Sequence, residues 1–233
     1  MSVLIVLTSH HQLGATGRQT GMWLEEFLVP YYEFVDAGVH VRLASPNGGA
    51  VPIDPASIQA IEQAEIFRRF TNDSALRGRL ASAECLDRIH AREVDAVLYP
   101  GGHGPLFDLR TDANSIRLIE SCFRQGKPIG TICHAGCALL ETKNDAGDPL
   151  VKGRNVTAFS DSEETAIQLE KAVPYLVESE LKRLGANYSK ADDWQAHTVQ
   201  DGLLITGQNP ASSGAVAKAI IAAITAADKE VRA

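Results

Sequence analysis

The chain has 233 residues, of which 45% are hydrophobic, and its formal net charge at pH 7 is −7. This length fits one α/β domain, and the apolar fraction excludes a disordered chain. The acidic balance argues against nucleic acid or an anionic membrane surface as a partner. No apolar run reaches the ~18 residues of a membrane-spanning helix. Residues 1–8 lack a basic leader and are predicted to form a buried strand and not a signal peptide. Four cysteines without a disulfide pattern favour a reducing compartment, so we expect a cytoplasmic protein.

Apolar runs of strand length alternate along the chain with stretches of helical periodicity. In chain order, the predicted elements are a strand at 3–8, a helix at 21–35 that Pro30 should kink or divide, a strand at 39–44, a helix at 58–70, a strand at 94–99, a helix at 115–124, a strand from 128, a short strand at 155–159, a helix near 173–184, a hairpin around 201–202 and a helix at 212–227. The alternation predicts an α/β sandwich of three layers, with helices on both faces of a mostly parallel sheet. We expect a single domain over residues 1–233, with a small irregular insertion around 46–92.

The stretch from Gly130 to Cys137 combines a buried strand, a cysteine and a helix-like run. A strand that turns sharply into a helix is how α/β hydrolytic enzymes present a nucleophile. Cys133 is at the apex of that predicted elbow, where the end of a helix is expected to lower the pKa of the thiol. His134 follows at once as a base or ion-pair partner, so we interpret Cys133 as a nucleophile and not as an inert core residue.

A glycine-rich turn follows the strand that ends near Tyr99. Its residues Gly101, Gly102 and His103 are candidates for an oxyanion or substrate site, because glycine lets backbone N–H groups approach a ligand closely. This turn, Cys133 and Thr8 all follow predicted strands. Ligands bind beyond the carboxyl ends of parallel strands, so these residues are expected at one edge of the sheet.

Two groups of acids are candidates for proton transfer and for orienting His134. Glu25 and Glu26 lie in the first predicted helix, about 100° apart, so at most one of them faces the site. A carboxyl group buried beside a thiol has a raised pKa and can shuttle protons. Asp161, Glu163 and Glu164 follow the short strand at 155–159, and any of the three could be the third member of a triad.

The remaining cysteines carry weaker signals. Cys85 and Cys122 are interpreted as packing residues, and Cys137 as a core residue or a resolving thiol one helical turn from Cys133. The four cysteines show no CxxC spacing, so neither a metal site nor a disulfide framework is predicted.

Four motifs give the chain its resemblance to the ThiJ/PfpI superfamily. They are Thr20-Gly21 followed by Glu26 and Pro30, Pro100-Gly101-Gly102-His103-Gly104, Cys133-His134-Ala135-Gly136, and Thr206-Gly207-Gln208-Asn209-Pro210-Ala211-Ser212. The chain resembles the branch of heat-shock, chaperone-like glyoxalases and proteins similar to type 1 glutamine amidotransferases. The resemblance implies a flavodoxin-like sandwich with a cysteine elbow and a homodimer. It matches the family's acid near the cysteine to Glu26 and the triad acid to Glu164.

The same resemblance implies a glyoxalase that needs no cofactor. Such an enzyme converts a small 2-oxoaldehyde such as methylglyoxal into a 2-hydroxy acid, with Cys133, His134, Glu26 and Glu164 as its catalytic residues. Alternative functions are an oxidative-stress sensor or holdase chaperone that uses the same oxidisable cysteine, or a protein deglycase. A cysteine amidase or peptidase is less favoured. A true glutamine amidotransferase needs a late His-x-Glu pair, and His197 is followed by Thr198-Val199 instead.

Overall fold

The computed structural model describes residues 1–232, and within them nine strands form two sheets. The strands are β1 (Ser2–Val6), β2 (His40–Ser45), β3 (Glu84–Cys85), β4 (Ala96–Tyr99), β5 (Ile129–Ile132), β6 (Asn155–Val156), β7 (Asn187–Tyr188), β8 (Thr198–Asp201) and β9 (Leu204–Gly207). The central sheet has seven strands in the order β3-β2-β1-β4-β5-β9-β8. All neighbours in it are parallel except the β8–β9 hairpin, and β6 and β7 form a separate parallel pair.

Helices cover both faces of the central sheet. They are α1 (Leu24–Asp36), α2 (Pro55–Ile61), α3 (Glu65–Asn72), α4 (Ser74–Leu80), α5 (Pro105–Asp108), α6 (Ala113–Arg124), α7 (Asp161–Ala166), α8 (Val177–Arg183) and α9 (Ser213–Arg232). One apolar core joins α1 and α9 to the sheet, and the other joins α6 and α8 to the opposite face. Val3 and Ile5 of β1 enter the first core, whereas Leu4 and Val6 enter the second. This alternation confirms the predicted α/β sandwich.

The segment 46–92 is more regular than the sequence indicated. Three helices, α2 to α4, and the edge strand β3 lie in it. The single helix predicted at 58–70 is wrong, because two separate helices occupy that region. Asp54 fixes the start of α2 by accepting a hydrogen bond from the N–H of Ala56, with Pro55 in the first helical position. The chain then turns at residues 62–64 before α3 begins.

Pro30 does not divide α1, contrary to one of the two predicted outcomes. The helix runs without interruption from Leu24 to Asp36. A proline inside a helix costs roughly 3 kcal/mol. Most of α1 is buried, Phe27, Leu28 and Phe34 completely so, and this packing against α9 and the sheet offsets that cost.

The long helix α9 packs on the core. Within the described residues, one stretch, Pro210–Lys229, is long and apolar enough to cross a membrane by length and composition alone. Its buried side chains Val216, Ala217, Ile220 and Ile224 recur at helical spacing and face α1 and the sheet. Core helices of this kind pass the same test, so the stretch is accounted for by the sandwich itself.

Candidate active site

Cys133 occupies a sharp turn directly after β5. Its backbone φ is +59°, in the left-handed region that costs a non-glycine residue free energy. A 3₁₀ helix, Cys133–Leu139, continues the chain. Glycine is required on both sides, since a Cβ at Gly130 would lie 2.6 Å from Ile220 and one at Gly136 would lie 2.8 Å from Ala158. Cys133 thus lies at a strained turn between a strand and a 3₁₀ helix.

Glu26 faces Cys133 from the first turn of α1. It is completely buried, whereas its neighbour Glu25 is only half-buried. The N–H of Gly101 donates to Oε2 of Glu26 at 2.7 Å. The other oxygen, Oε1, is within hydrogen-bonding distance of no partner among the described residues. A Cβ at position 101 would lie 2.7 Å from Glu26 Oε2 and 2.9 Å from Cys133 Cβ. Gly101 therefore allows the carboxyl group and the thiol to approach each other.

His134 and Glu164 complete a line of hydrogen bonds that begins at the sulfur. Nδ1 of His134 lies 3.2 Å from Sγ of Cys133, and its Nε2 lies 2.6 Å from Oε2 of Glu164. The other carboxylate oxygen, Oε1, lies 3.0 Å from Nε2 of His103. An ionised carboxylate only accepts hydrogen bonds, so each Nε2 is the protonated nitrogen of its ring. Neutral His134 then turns its Nδ1 lone pair toward the thiol.

The pKa values in this cluster follow mainly from burial. Burial raises the pKa of Glu26 to about 8. Burial, followed by the charge of Glu26, raises the pKa of Cys133, while the backbone N–H of His134 lowers it in part. This direction is opposite to the one expected from the helix end, because a short 3₁₀ turn contributes less than the loss of solvent.

The pKa values of His134 and of its partner Glu164 are both lowered. Burial and then the neighbouring His103 lower the pKa of His134, so its imidazole is neutral at pH 7. Burial alone would raise the pKa of Glu164, but the facing His134 and His103 outweigh it and hold that pKa well below its usual range. Glu164 is accordingly an ionised acceptor for two imidazole N–H groups.

The glycine-rich turn has a different division of roles from the one predicted. The N–H of Gly101 is engaged by Glu26, and the side chain of His103 is engaged by Glu164, so neither is free to bind an oxyanion. Gly102, with φ of +92°, lines the cavity beside Cys133. The backbone N–H groups of Gly102 and His134 remain the candidates for an oxyanion site. Thr8 lies under this turn, where it donates to Asp108.

The three acids after β6 have separate positions on α7. Only Glu164 contacts His134. Glu163 forms a capping box with Ser160. Asp161 accepts from the hydroxyl of Ser179 on the outer side. Successive helical residues are about 100° apart, which explains why one acid of the three reaches the imidazole.

The other cysteines lie away from the nucleophile. All four are free thiols. Cys137 is buried in the core on the far side of the elbow and donates to the backbone oxygen of Pro105. A 3₁₀ helix has three residues per turn, so positions four apart do not share a face. Its geometry favours the core interpretation over the resolving thiol.

The side chains of His103, His134 and Glu164 are the candidate metal ligands of the site. Their donor atoms lie within 4.8 Å of one another, and all three are buried. The hydrogen bonds from both imidazoles already satisfy both oxygens of Glu164. A cation would have to displace those two N–H groups, because both oxygens of the carboxylate already accept hydrogen bonds.

A small cavity of about 80 Å³ opens onto the sulfur of Cys133. That volume is several times the roughly 10–15 Å³ that one water needs by the same measure, so a small molecule fits beside the sulfur. Its walls are formed by Trp23, Glu26, Gly102, His103, Cys133, His134, Phe159, Ile167, Trp194 and Pro210. A larger groove of about 770 Å³ lies between α1 and α3, beside Tyr32 and Arg69, and contains none of these groups.

Sequence reasoning did not identify the apolar wall of the cavity. The ring of Phe159 lies 4.2 Å from that of His134, and the ring of Trp194 lies 5.9 Å from that of Phe159. Trp23 also lines the cavity, and its indole N–H is buried without a hydrogen-bond partner among the described residues. The available signal was that the chain has only two tryptophans and that one of them precedes Glu26 by three residues.

Comparisons with known proteins agree with this architecture. The model of the DJ-1/PfpI family matches residues 19–223. Glyoxalase 3 of Candida albicans is 28% identical, over 96% of this chain and 98% of its own length. The glutathione-independent glyoxalase HSP31 of Saccharomyces cerevisiae is 27% identical, over 92% and 94%. The crystal structure of Rapid Encystment Protein (REP24) from Francisella tularensis is 35% identical, with a TM-score of 0.91 over 96% and 98% of the two chains.

Proposed function

Because the chain belongs to the DJ-1/PfpI family, we propose that it is a glutathione-independent glyoxalase. It converts a 2-oxoaldehyde such as methylglyoxal into the corresponding 2-hydroxy acid. The observation that carries this proposal is the meeting of Cys133 with Glu26 on one side and with His134 and Glu164 on the other, around one small cavity. The names of the Candida and Saccharomyces relatives support the same reaction.

Addition of the thiol to the aldehyde is the first step. The sulfur of Cys133 forms a bond to the aldehyde carbon, and the thiol proton passes through Nδ1 of His134 to the aldehyde oxygen, which gives a hemithioacetal. The lone pair of Nδ1 lies 3.2 Å from the sulfur. Glu164 holds the imidazole in this tautomer through the bond to Nε2.

Proton transfer between the two carbons is the second step. Glu26 removes the proton from the former aldehyde carbon, and the electron pair moves into an enediol as the ketone oxygen takes up a proton. Glu26 then returns its proton to the neighbouring carbon while the hydroxyl on the first carbon gives up its proton, which leaves an alcohol beside a thioester on Cys133. The proton gained by one oxygen balances the proton lost by the other. A carboxyl group with a pKa of about 8 can both give and take a proton near neutral pH. His134 is the alternative carrier.

Hydrolysis of the thioester is the last step. Water adds to the thioester carbonyl, the carbon–sulfur bond breaks, and the hydroxy acid leaves as the sulfur regains its proton. The backbone N–H groups of Gly102 and His134 stabilise the oxyanion of the tetrahedral intermediate. The sequence of steps consumes one water and needs no external oxidant, because one carbon is oxidised while its neighbour is reduced.

The direct test is product formation by the purified protein. With methylglyoxal, and without glutathione, lactate should form at a rate proportional to enzyme, also in the presence of a chelator. The Cys133→Ala variant should form none above the protein-free control. Lactate formation by wild type that does not exceed that control would contradict the glyoxalase proposal.

A sensor function is the second candidate, favoured by the unpartnered oxygen of Glu26 beside the sulfur. A protonated Glu26 can donate a hydrogen bond to an oxygen of a sulfinic Cys133. Peroxide would then add two oxygens to this cysteine alone, which peptide mapping by mass spectrometry detects. If peroxide oxidises Cys133 and the purified protein forms no lactate, the sensor function is favoured over the enzyme.

The amidotransferase alternative has no support from the position of the late histidine. Nε2 of His197 bonds with the hydroxyl of Ser189, and His197 does not line the cavity. His134, which directly follows the nucleophile, occupies the place of the base.

A further inference from the structure

Two exposed apolar side chains form the mouth of the Cys133 cavity. Among the side chains that the structure describes, five large apolar ones are exposed: Met1, Val35, Ile167, Trp194 and Leu203. Ile167 is 37% exposed and Trp194 is 47% exposed, and both line this cavity. A single exposed apolar residue needs no explanation, but two that line one small cavity give it a partly exposed apolar rim, Ile167 and Trp194.

The backbone at this rim is strained. Within residues 1–232, three non-glycine residues have positive φ: Cys133 at 59°, Gln168 at 59° and Trp194 at 67°. Gln168 directly follows Ile167, so all three strained positions lie at the cavity or next to one of its lining residues. Such conformations are unfavourable for a bulky residue and persist where the surrounding structure enforces them, which they do most often at functional sites.

Glu163 holds both sides of the rim in place. Its backbone oxygen accepts from the N–H of Ile167 at 3.2 Å, and its Oε1 accepts from the N–H of Trp194 at 2.9 Å. Oε1 also accepts from the side chain of Asn209 at 2.9 Å. Glu163 is completely buried, so these bonds are protected from water. Glu163, the residue beside Glu164, therefore anchors the backbone of both Ile167 and Trp194.

The interior wall continues the apolar surface inward. The ring of Trp194 lies 5.9 Å from that of Phe159, which in turn lies 4.2 Å from His134. With the aldehyde carbon bonded to the sulfur of Cys133, the two reacting carbons occupy the cavity beside it. We expect the group attached to the ketone carbon to extend along Phe159 toward the rim. A single methyl group leaves most of this surface without a partner, whereas an aromatic ring covers it.

We propose that Ile167 and Trp194 form a subsite for an apolar, and preferably aromatic, substituent on the ketone carbon of the substrate. Arylglyoxals, with phenylglyoxal as the probe, are then better substrates than methylglyoxal. The inference rests on the proposed glyoxalase function and names its substrate class. The bonds made and broken are those given above, so phenylglyoxal and one water yield mandelate.

The test compares kcat/KM for phenylglyoxal and for methylglyoxal in wild type, Trp194→Ala and Ile167→Ala. Wild type should prefer phenylglyoxal by about tenfold or more, and each variant should reduce that ratio several-fold. Trp194→Phe should retain most of the preference. Leu203→Ala is the matched control, because Leu203 is equally exposed at 37% but lies in the β8–β9 hairpin, and it should leave both values unchanged.

Binding gives a readout that does not depend on turnover. The chain has two tryptophans, and both line the cavity, so quenching of intrinsic fluorescence reports occupancy. Mandelate should bind at least several-fold more tightly than lactate. In Trp194→Phe, the remaining Trp23 reports the same titration, and in Trp194→Ala the difference between the two acids should shrink.

The outcomes separate this inference from the proposed function. Turnover of methylglyoxal with no preference for phenylglyoxal would overturn the subsite and leave the glyoxalase proposal standing. Turnover of neither aldehyde would remove the enzyme proposal, and equal binding of mandelate and lactate would then overturn the subsite as well. A change of oligomeric state in Trp194→Ala, with unchanged selectivity, would assign these residues to a contact between copies and also overturn it.

Discussion

Oε2 of Glu164 lies 2.6 Å from Nε2 of His134, and this contact fixes which nitrogen of the imidazole faces the thiol. The other oxygen of Glu164 binds His103, so the carboxylate is held at both ends. Glu164 thus acts on the sulfur only through His134. Its neighbour Glu163 has an equally buried carboxyl group that holds backbone and cap groups instead.

Glu164→Gln should lower kcat/KM for methylglyoxal by roughly 10²-fold or more. The glutamine amide has one acceptor oxygen, so it cannot accept from both His134 and His103, and the tautomer of His134 is no longer fixed. Steady-state lactate formation measures the loss. Glu163→Gln is the matched control: it should mainly destabilise the fold, by about 1 kcal/mol as for a lost cap, with a smaller loss of rate. A larger rate loss in Glu163→Gln would mean that the assignment of the two acids is reversed.

Glu26→Gln should reduce the rate of lactate formation by on the order of 10²-fold or more, because the amide cannot carry the proton between the two carbons. Glu25→Gln should stay near wild type, since Glu25 is half-buried and does not line the cavity. Equal losses in the two variants would contradict the assignment of the proton transfer to Glu26.

The same substitution should change how stability depends on pH. The pKa of Glu26 is raised from 4.5 in a model peptide to about 8 in the folded protein. Its contribution to stability is therefore complete below about pH 4.5 and is lost as the pH rises through 8, at up to ~1.4 kcal/mol per pH unit. Glu26→Gln should gain stability relative to wild type between pH 5 and 8, by on the order of a few kcal/mol. Urea denaturation across that range measures it, and parallel pH profiles would show that Glu26 is ionised when buried.

Alkylation should separate the cysteines by access. Burial raises the pKa of Cys122, Cys133 and Cys137 alike, so only access separates these three. Cys133 opens onto the cavity, whereas Cys122 and Cys137 have no exposed surface, and Cys85 is half-exposed and is mapped separately. Iodoacetamide on the folded protein should therefore label Cys133 well before Cys122 and Cys137, with peptide mapping as the readout. Cys133→Ala identifies its peptide. If Cys137 is labelled as fast as Cys133, the interpretation of Cys133 as the accessible, reactive thiol is contradicted.

Trp23→Phe should lower kcat/KM by roughly five- to tenfold. The indole N–H of Trp23 is buried without a partner among the described residues, and a hydrogen bond from it to a substrate oxygen is worth about 1 kcal/mol. Comparison with Trp194→Phe separates loss of the N–H from loss of ring size. An unchanged kcat/KM would mean that this N–H does not reach the substrate.

The sharp turn at Cys133 and the burial of Glu26 were predictable because their signals are local. Glycines that flank a strand-borne cysteine indicate the turn at Cys133, and the helical period indicates that only one of Glu25 and Glu26 faces inward. Three acids within four residues gave no such signal, and Glu164 was matched through the family motif. The direction of the Cys133 pKa was wrong because burial depends on packing from several distant segments.

The residues of the cavity rim and the edge strand of the sheet could not be predicted from local sequence patterns. Ile167 and Trp194 come from different loops, line the same cavity and are both anchored by Glu163. The edge strand β3 has two residues, too few for a period to show. His103 lies in a turn whose glycines suggested a ligand site, whereas its ring bonds to a carboxylate 61 positions further along the chain.

Gly101 has a consequence for the interpretation of genomes. A Cβ at this position would lie 2.7 Å from Oε2 of Glu26, 2.8 Å from the backbone oxygen of Ile132 and 2.9 Å from the Cβ of Cys133. A descendant that replaces the cysteine by alanine or serine, or the glutamate by a smaller residue, still has the Ile132 oxygen and the Cβ at position 133, so position 101 stays closed to a side chain. A glycine found there is accordingly an evolutionary marker of the fold, and only the residues at positions 26 and 133 tell lineages that retain the chemistry from those that have lost it.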